Sequence, residues 1–288
     1  MKRFVRFLPA GHPEKQPPKV AQKIVTINVR KKMNRIDRLF QSGKKDILSV
    51  YFTAGYPKLD DTVKIIKSLS DHGVDMIEIG VPFSDPMADG PVIQASGQQA
   101  LRNGMTQKLL FQQLKDIRQV TDIPLIAMSY VNTAMQFGFE KYCKACAEVG
   151  IDGLIIPDLP MEVYLADYKQ YVTANNLAYT QLVTPETPED RVRAIDDNTT
   201  GFVYMVSSAS TTGAQQSFND AKQQYFKKIE SMNLKNPTLV GFGVSNKETF
   251  RAAADHSRGC IIGSAFIKLL GSCASIDEAV ETLLVNVR

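Results

Sequence analysis

With 288 residues, 44% of them hydrophobic and 22% charged, the chain has a globular composition. It is long enough for two ordinary domains or one large α/β barrel, and a disordered or collagen-like chain is excluded. Four cysteines and three histidines leave little room for a disulfide framework or a His-rich metal centre.

The net charge of +4 divides unevenly. Residues 1–32 hold nine Lys or Arg against Glu14 alone, which leaves 25 basic and 29 acidic groups, a net of −4, in residues 33–288. The body therefore carries no electrostatic signature of nucleic-acid binding. No apolar run approaches the ~18–20 residues that span a membrane, so no membrane association is expected.

The basic stretch 1–32 has four prolines and no serine. It lacks both the apolar core of a secretory signal and the serine content of a transit peptide. It reads as a disordered extension, or as upstream sequence joined to a natural start at Met33; a polybasic arm touching anionic surfaces is a further alternative. Residues 33–288 are expected to form one domain, resident in the cytoplasm.

From Ile47 onward one pattern repeats: a short apolar run, a polar loop and a segment of helical period. The runs are Ile47–Phe52, Met76–Val81, Pro124–Tyr130, Leu154–Ile156, Tyr179–Val183, Phe202–Val206, Thr238–Phe242 and Cys260–Ile262. They are short, rich in branched residues and often apolar on both faces, as buried parallel strands are. Thr187 before Pro188 suggests a helix start. Ser245 with Glu248, and Ser275 with Glu278, fit a capping box. In the last helix Ile276, Ala279, Val280, Leu283 and Leu284 share one face. Eight successive units predict a single (β/α)8 TIM barrel, with an open doubly wound sheet as the structural alternative.

In such a barrel the site lies at the carboxyl ends of the strands. The second run continues as Met76-Ile77-Glu78-Ile79-Gly80-Val81-Pro82-Phe83-Ser84-Asp85-Pro86-Met87-Ala88-Asp89-Gly90-Pro91. Strand alternation gives Ile77, Ile79 and Val81 to the helix layer and points Met76, Glu78 and Gly80 into the barrel. A carboxyl there should have a raised pKa, which suits a group that both gives and takes protons. The alternative is a structural Glu paired with a cation or a backbone N–H. Asp85 and Asp89 follow in the loop, where Asx-type turn bonding is the ordinary role of an aspartate.

Two late strand ends, Gly241-Phe242-Gly243-Val244-Ser245 and Gly263-Ser264-Ala265-Phe266, have the small residues that let backbone N–H groups face an anion. They fall after strands seven and eight, a common phosphate site in these barrels. Between them and the earlier units, the polar, uncharged loop Ser207–Gln216 has the composition of a lid or of an ordinary surface loop.

The absences narrow the chemistry further. No lysine lies in or directly ends a strand run, which removes the nucleophile of Schiff-base aldolases. His12, His72 and His256 fall in the extension or at helix ends, so no metal site is expected. Cys143 and Cys146 form a lone C-x-x-C of helical period, read with Cys260 and Cys273 as packed, reduced thiols.

Residues 33–288 resemble the tryptophan synthase alpha chain family across nearly their whole length. Glu78 through Gln94, EIGVPFSDPMADGPVIQ, looks like that family's signature, and Met33–Phe40 resembles its N-terminal segment, a short helix ahead of the barrel. The resemblance implies retro-aldol cleavage of indole-3-glycerol phosphate to indole and glyceraldehyde 3-phosphate. It implies no cofactor in this chain and a PLP-bearing β chain as partner, in an α2β2 heterotetramer. Glu78 matches the family's acid/base and Asp89 the acid that holds the indole N–H. Tyr204 matches the family's tyrosine at the end of strand six, close to Asp89.

The same resemblance implies that Tyr51, Thr53 and Tyr130 line the indole pocket. Gly213, Gly243, Gly263 and Ser264 would hold the phosphate. Thr212 and Gly213 match the closing loop after strand six, and Pro82, Asp85 and Asn132 match positions of loop ordering or the partner face. One departure stands in that loop: Ser210 occupies a position where the family commonly has glycine, which restricts φ > 0. Two other functions compete with this one: a different phosphate-binding barrel such as a sugar-phosphate isomerase, and an interaction subunit without turnover.

Overall fold

The computed structural model describes residues 33–207 and 220–288. After α1 (Arg35–Gln41) come β1 (Ile47–Thr53), α2 (Thr62–Asp71), β2 (Met76–Gly80), α3 (Pro91–Arg102), α4 (Gln107–Gln113) and β3 (Leu125–Met128). The middle of the chain forms α5 (Val131–Phe137), α6 (Phe139–Glu148), β4 (Gly153–Ile155), α7 (Met161–Val163), a π-helical turn, α8 (Lys169–Ala174), β5 (Ala178–Val183), α9 (Glu189–Asn198) and β6 (Val203–Val206). It ends with α10 (Asp220–Ser231), β7 (Thr238–Gly241), α11 (Lys247–Ala254), β8 (Gly259–Ile262), α12 (Ser264–Ser272) and α13 (Ile276–Val287).

The eight strands pair in chain order, all parallel, and β8 returns to β1 to close a barrel. Closure excludes the open doubly wound sheet. All eight predicted runs are strands, with ends displaced by one or two residues. The third run is the most shortened, because Ser129 and Tyr130 leave the sheet and Tyr130 becomes the N-cap of α5.

Alternation divides the core into two. Ile77, Ile79 and Val81 pack outward in the layer shared with the helices. Ile47, Met76, Ile126, Ile155, Ala178, Phe202, Leu239 and Ile261 pack inside the barrel. Ile36 of α1, fully buried, joins the inner cluster, so the short helix plugs the barrel's amino end. Asn34 seats it: its side chain accepts from Asp37 N at 3.0 Å and donates to the Asp152 carbonyl at 3.2 Å. Buried Asp152 in turn pairs with Arg35 and Arg118 at 3.2 and 2.6 Å and accepts from Leu125 N.

Two predicted helix starts are displaced. The box that opens α11 is Asn246 with Thr249, not Ser245 with Glu248. Asn246 has the extended backbone a cap needs, and its side chain accepts from Thr249 N at 2.9 Å. Pro188, not Thr187, is the N-cap of α9; Thr187 Oγ1 folds back to accept from Thr184 N at 2.9 Å. Ser275 does cap α13, but the Glu278 carboxylate accepts from Ala274 N, so the reciprocal half of that box is missing. Cys143, Cys146 and Cys260 are buried free thiols as expected, whereas Cys273 is only half-buried. Among the described residues no helix is long and apolar enough to cross a membrane.

Candidate active site

Glu78 occupies the middle of β2 and pairs in register with Tyr51 on one side and Ile126 on the other. Its side chain points into the barrel, where it is fully buried. Ser49 Oγ donates to Glu78 Oε1 at 2.9 Å, while Oε2 has no hydrogen-bond partner among the described residues. Loss of water pushes the Glu78 pKa up to about 8, and the serine hydrogen bond only partly opposes that rise.

The chain beyond β2 turns over the barrel mouth and carries Asp89 back to it. The turn is held by Met87 N donating to the Asp85 carbonyl and Asp89 N to the Pro86 carbonyl. Tyr130 locks it from β3's end: its Oη donates to Asp89 Oδ2 and accepts from Ala88 N, both at 3.0 Å. Phe83 stacks on the same ring. Gln94, one turn into α3, donates to the Asp89 carbonyl at 2.8 Å. Asp89 is buried, and burial raises its pKa to about 6 against the lowering effect of the Tyr130 bond.

Two tyrosines flank these acids through the same device on different strands. Tyr51 lies diagonally across from Gly80, and Tyr204 from Gly241. A Cβ on either glycine would stand 2.2 Å from the tyrosine oxygen, so only glycine lets each ring lie across its neighbouring strand. Both tyrosines are buried beside the carboxyls, and burial raises their pKa values far above the ordinary phenol range.

The resulting cleft holds about 470 Å³ of space, its open mouth included. Tyr51, Glu78, Asp89 and Tyr204 form its polar wall. Ile93, Met128, Phe242, Val244 and Ile261 form the apolar one, and Gly243, Gly263, Ser264 and Ala265 form the far end. No lysine or arginine lines it among the described residues. At that far end α12 begins with Gly263 as N-cap and no side-chain cap, so its first-turn N–H groups are available to an anion.

Seven of the predicted site residues thus meet around one cleft: Glu78, Asp89, Tyr51, Tyr204, Gly243, Gly263 and Ser264. Tyr130 acts one step back, through Asp89. Thr53, the last residue of β1, is buried beside the cleft, and its Oγ1 meets Ser96 Oγ of α3 at 2.7 Å. Pro82 and exposed Asp85 lie in the turn after β2, and exposed Asn132 opens α5. Thr212, Gly213 and Ser210 lie outside the described residues.

Sequence reasoning missed Ser49 and the apolar wall formed by Ile93, Met128 and Phe242. The signal for Ser49 was available: it alternates with Ile47 and Tyr51, so it is a polar side chain aimed into the barrel. Phe242 carried a weaker sign, standing between two glycines with φ of 68°.

The family model of the tryptophan synthase alpha chain matches residues 38–288. The chain is 60% identical to the tryptophan synthase alpha chain of Parabacteroides distasonis, over 88% of its own length and 98% of that protein's. It is 61% identical to that of Bacteroides thetaiotaomicron, over 87% and 98%. Among solved structures it is similar to a chain of the tryptophan synthase complex from Pyrococcus furiosus, with TM-score 0.77 and 30% identity over 85% of this chain and 98% of that one. A chain of aminoacrylate-bound tryptophan synthase from M. tuberculosis gives TM-score 0.77 and 26% identity over 88% and 100%.

Proposed function

The chain belongs to the tryptophan synthase alpha chain family, and on that premise we propose how its cleft performs the family's reaction. The reaction is cleavage of indole-3-glycerol phosphate to indole and glyceraldehyde 3-phosphate in tryptophan biosynthesis. It is performed as partner of a β chain, and PLP belongs to that β chain.

Carbon 3 of the indole ring is a poor leaving group until it is protonated. The C1′ hydroxyl must then lose its proton as the C3–C1′ bond breaks and the aldehyde forms. Glu78 carries both transfers. With a pKa of about 8 it is largely protonated at neutral pH and begins as the acid. Once it has protonated C3 it is the carboxylate that takes the hydroxyl proton, so it ends the cycle as it began. Asp89, with a pKa of about 6, is ionised at the same pH and accepts the indole N–H, stabilising the electron-poor tautomer. Two buried acids held on opposite sides of neutrality thus divide the work. The apolar wall suits the indole ring. The phosphate fits the far end, where Gly243, Gly263, Ser264 and the start of α12 offer backbone N–H groups in place of a cation. Tyr51 and Tyr204 close the indole end.

The single observation that carries this reading is the buried Glu78 carboxyl in the wall of the cleft, one oxygen of which has no partner among the described residues. The turn bearing Pro82 and Asp85, with Asn132 nearby in sequence to β3's end, supports docking of the β chain on this mouth as an α2β2 assembly. Exposed Met87 and Met135, in the same turn and helix, add apolar surface to it. Residues 33–288 form the catalytic domain, 1–32 are an addition to it, and the protein works in the cytoplasm.

The test is indole release by the purified chain and by Glu78→Gln, each with and without β subunit. The parent should turn over slowly alone and faster with β. Glu78→Gln should lose at least ~10²-fold in kcat while still binding substrate. Equal rates for parent and variant would make Glu78 structural. No turnover in either, even with β, would leave a pure interaction subunit.

A further inference from the structure

Glu78 is not held symmetrically. Ser49 is fully buried and stands two residues before Tyr51, the register partner of Glu78, so its hydroxyl approaches from the closed end of the barrel. It donates to Oε1 only. The other groups facing the carboxyl are Tyr51 from β1, Tyr204 from β6 and, at the mouth, Asp89; β3 presents Ile126 and Met128, both apolar. None of these bonds Oε2, which has no partner among the described residues although Glu78 lines the cleft.

We propose that Ser49 is a positioning residue that engages Oε1 of Glu78 and so reserves Oε2 as the oxygen that exchanges its proton with substrate. In a protonated carboxyl the carbonyl oxygen is the better acceptor, so a donor fixed on Oε1 places the acidic hydrogen on Oε2. That hydrogen then has no competing acceptor among the described residues and is presented to the cleft. As C3 is protonated, the same hydroxyl stabilises the carboxylate left behind, which favours the donation step. Without it the carboxyl can rotate, and either oxygen can carry the proton.

This inference rests on the lyase reading above, and its test separates the two. The Glu78 side-chain carboxyl is titrated by ¹³C NMR in the substrate-free chain, with Glu78→Gln assigning the resonance, for the parent, Ser49→Ala and Ser49→Thr. Indole release is measured for the same proteins with β subunit across pH. Ser49→Ala should raise the titration midpoint of Glu78 by about one pH unit and lower kcat by roughly tenfold with little change in KM. Ser49→Thr, which restores a hydroxyl, should recover both. An active parent with Ser49→Ala unchanged in midpoint and kcat would overturn the proposal alone. So would a loss that threonine does not rescue and that appears mainly in KM, since that is the mark of packing. A parent that releases no indole would overturn the lyase reading and this proposal together.

Discussion

Glu78 holds a carboxyl where water does not reach, and the consequence extends from catalysis to folding. Its pKa rises from an ordinary 4.5 to about 8 in the folded chain, so between those values the folded state binds the proton more tightly than the unfolded state does. The stability associated with the protonated group is therefore fully present below about 4.5 and is lost as pH rises through about 8. Asp89 adds a smaller effect of the same sign between 3.8 and about 6. Glu78→Gln has no carboxyl to ionise there. Its stability relative to the parent should grow between pH 5 and pH 9 by on the order of a few kcal/mol, as read from urea unfolding at the two pH values. A difference that stayed constant with pH would mean that Glu78 does not titrate in a dry site.

At the scale of elements, the barrel's amino end depends on one small helix. Ile36 is fully buried against the interior side chains of several strands, and the capping bonds of Asn34 hold it there. Ile36→Ala should cost ~2–5 kcal/mol, measured by urea unfolding. The lyase rate should be retained at temperatures where the variant is folded, because the acids stand toward the opposite end. A loss of activity without loss of stability would show that the plug communicates with the site. The displaced helix starts belong to this scale too. Ser245 and Asn246 are adjacent candidates of similar capping chemistry, and the choice goes to whichever has extended backbone, here Asn246 with φ −148° and ψ 175°. That is set by how the chain leaves β7, which a four-residue pattern does not contain.

For the molecule as a whole, charge is divided unevenly along the chain. The net of +8 lies in residues 1–32, and the acidic remainder is the barrel. Removal of residues 1–32 should leave the melting temperature and the rate of indole release unchanged within error. A fall in either would make the extension part of the working domain. The barrel also explains why residues distant in sequence line one cleft: closure brings Tyr204 on β6 to the mouth where β2 and its following loop hold Glu78 and Asp89.

Much of this was legible in the residues alone. Eight buried strands announce themselves because parallel strands covered on both faces must be apolar on both faces, and a glutamate breaking that rule at Glu78 is conspicuous. Period-two alternation then assigns its direction without any structure. The long run from Glu78 through Gln94 carried the family. What tertiary structure decided is whatever depends on distances between strands. Thr53 meets Ser96 of α3 across a gap that only helix placement determines. Tyr130 reaches Asp89 and Ala88 N at once because the register of β2 with β3 brings the end of β3 beside the turn after β2. Ser49, a small polar residue that in sequence could be buried anywhere, acquires its meaning from a 2.9 Å approach to one oxygen of Glu78. Hydrophobic pattern is a one-dimensional property and is written in the chain. The pairing of a hydroxyl with one of two chemically identical oxygens is a matter of tenths of an ångström, and it exists only once the barrel has closed.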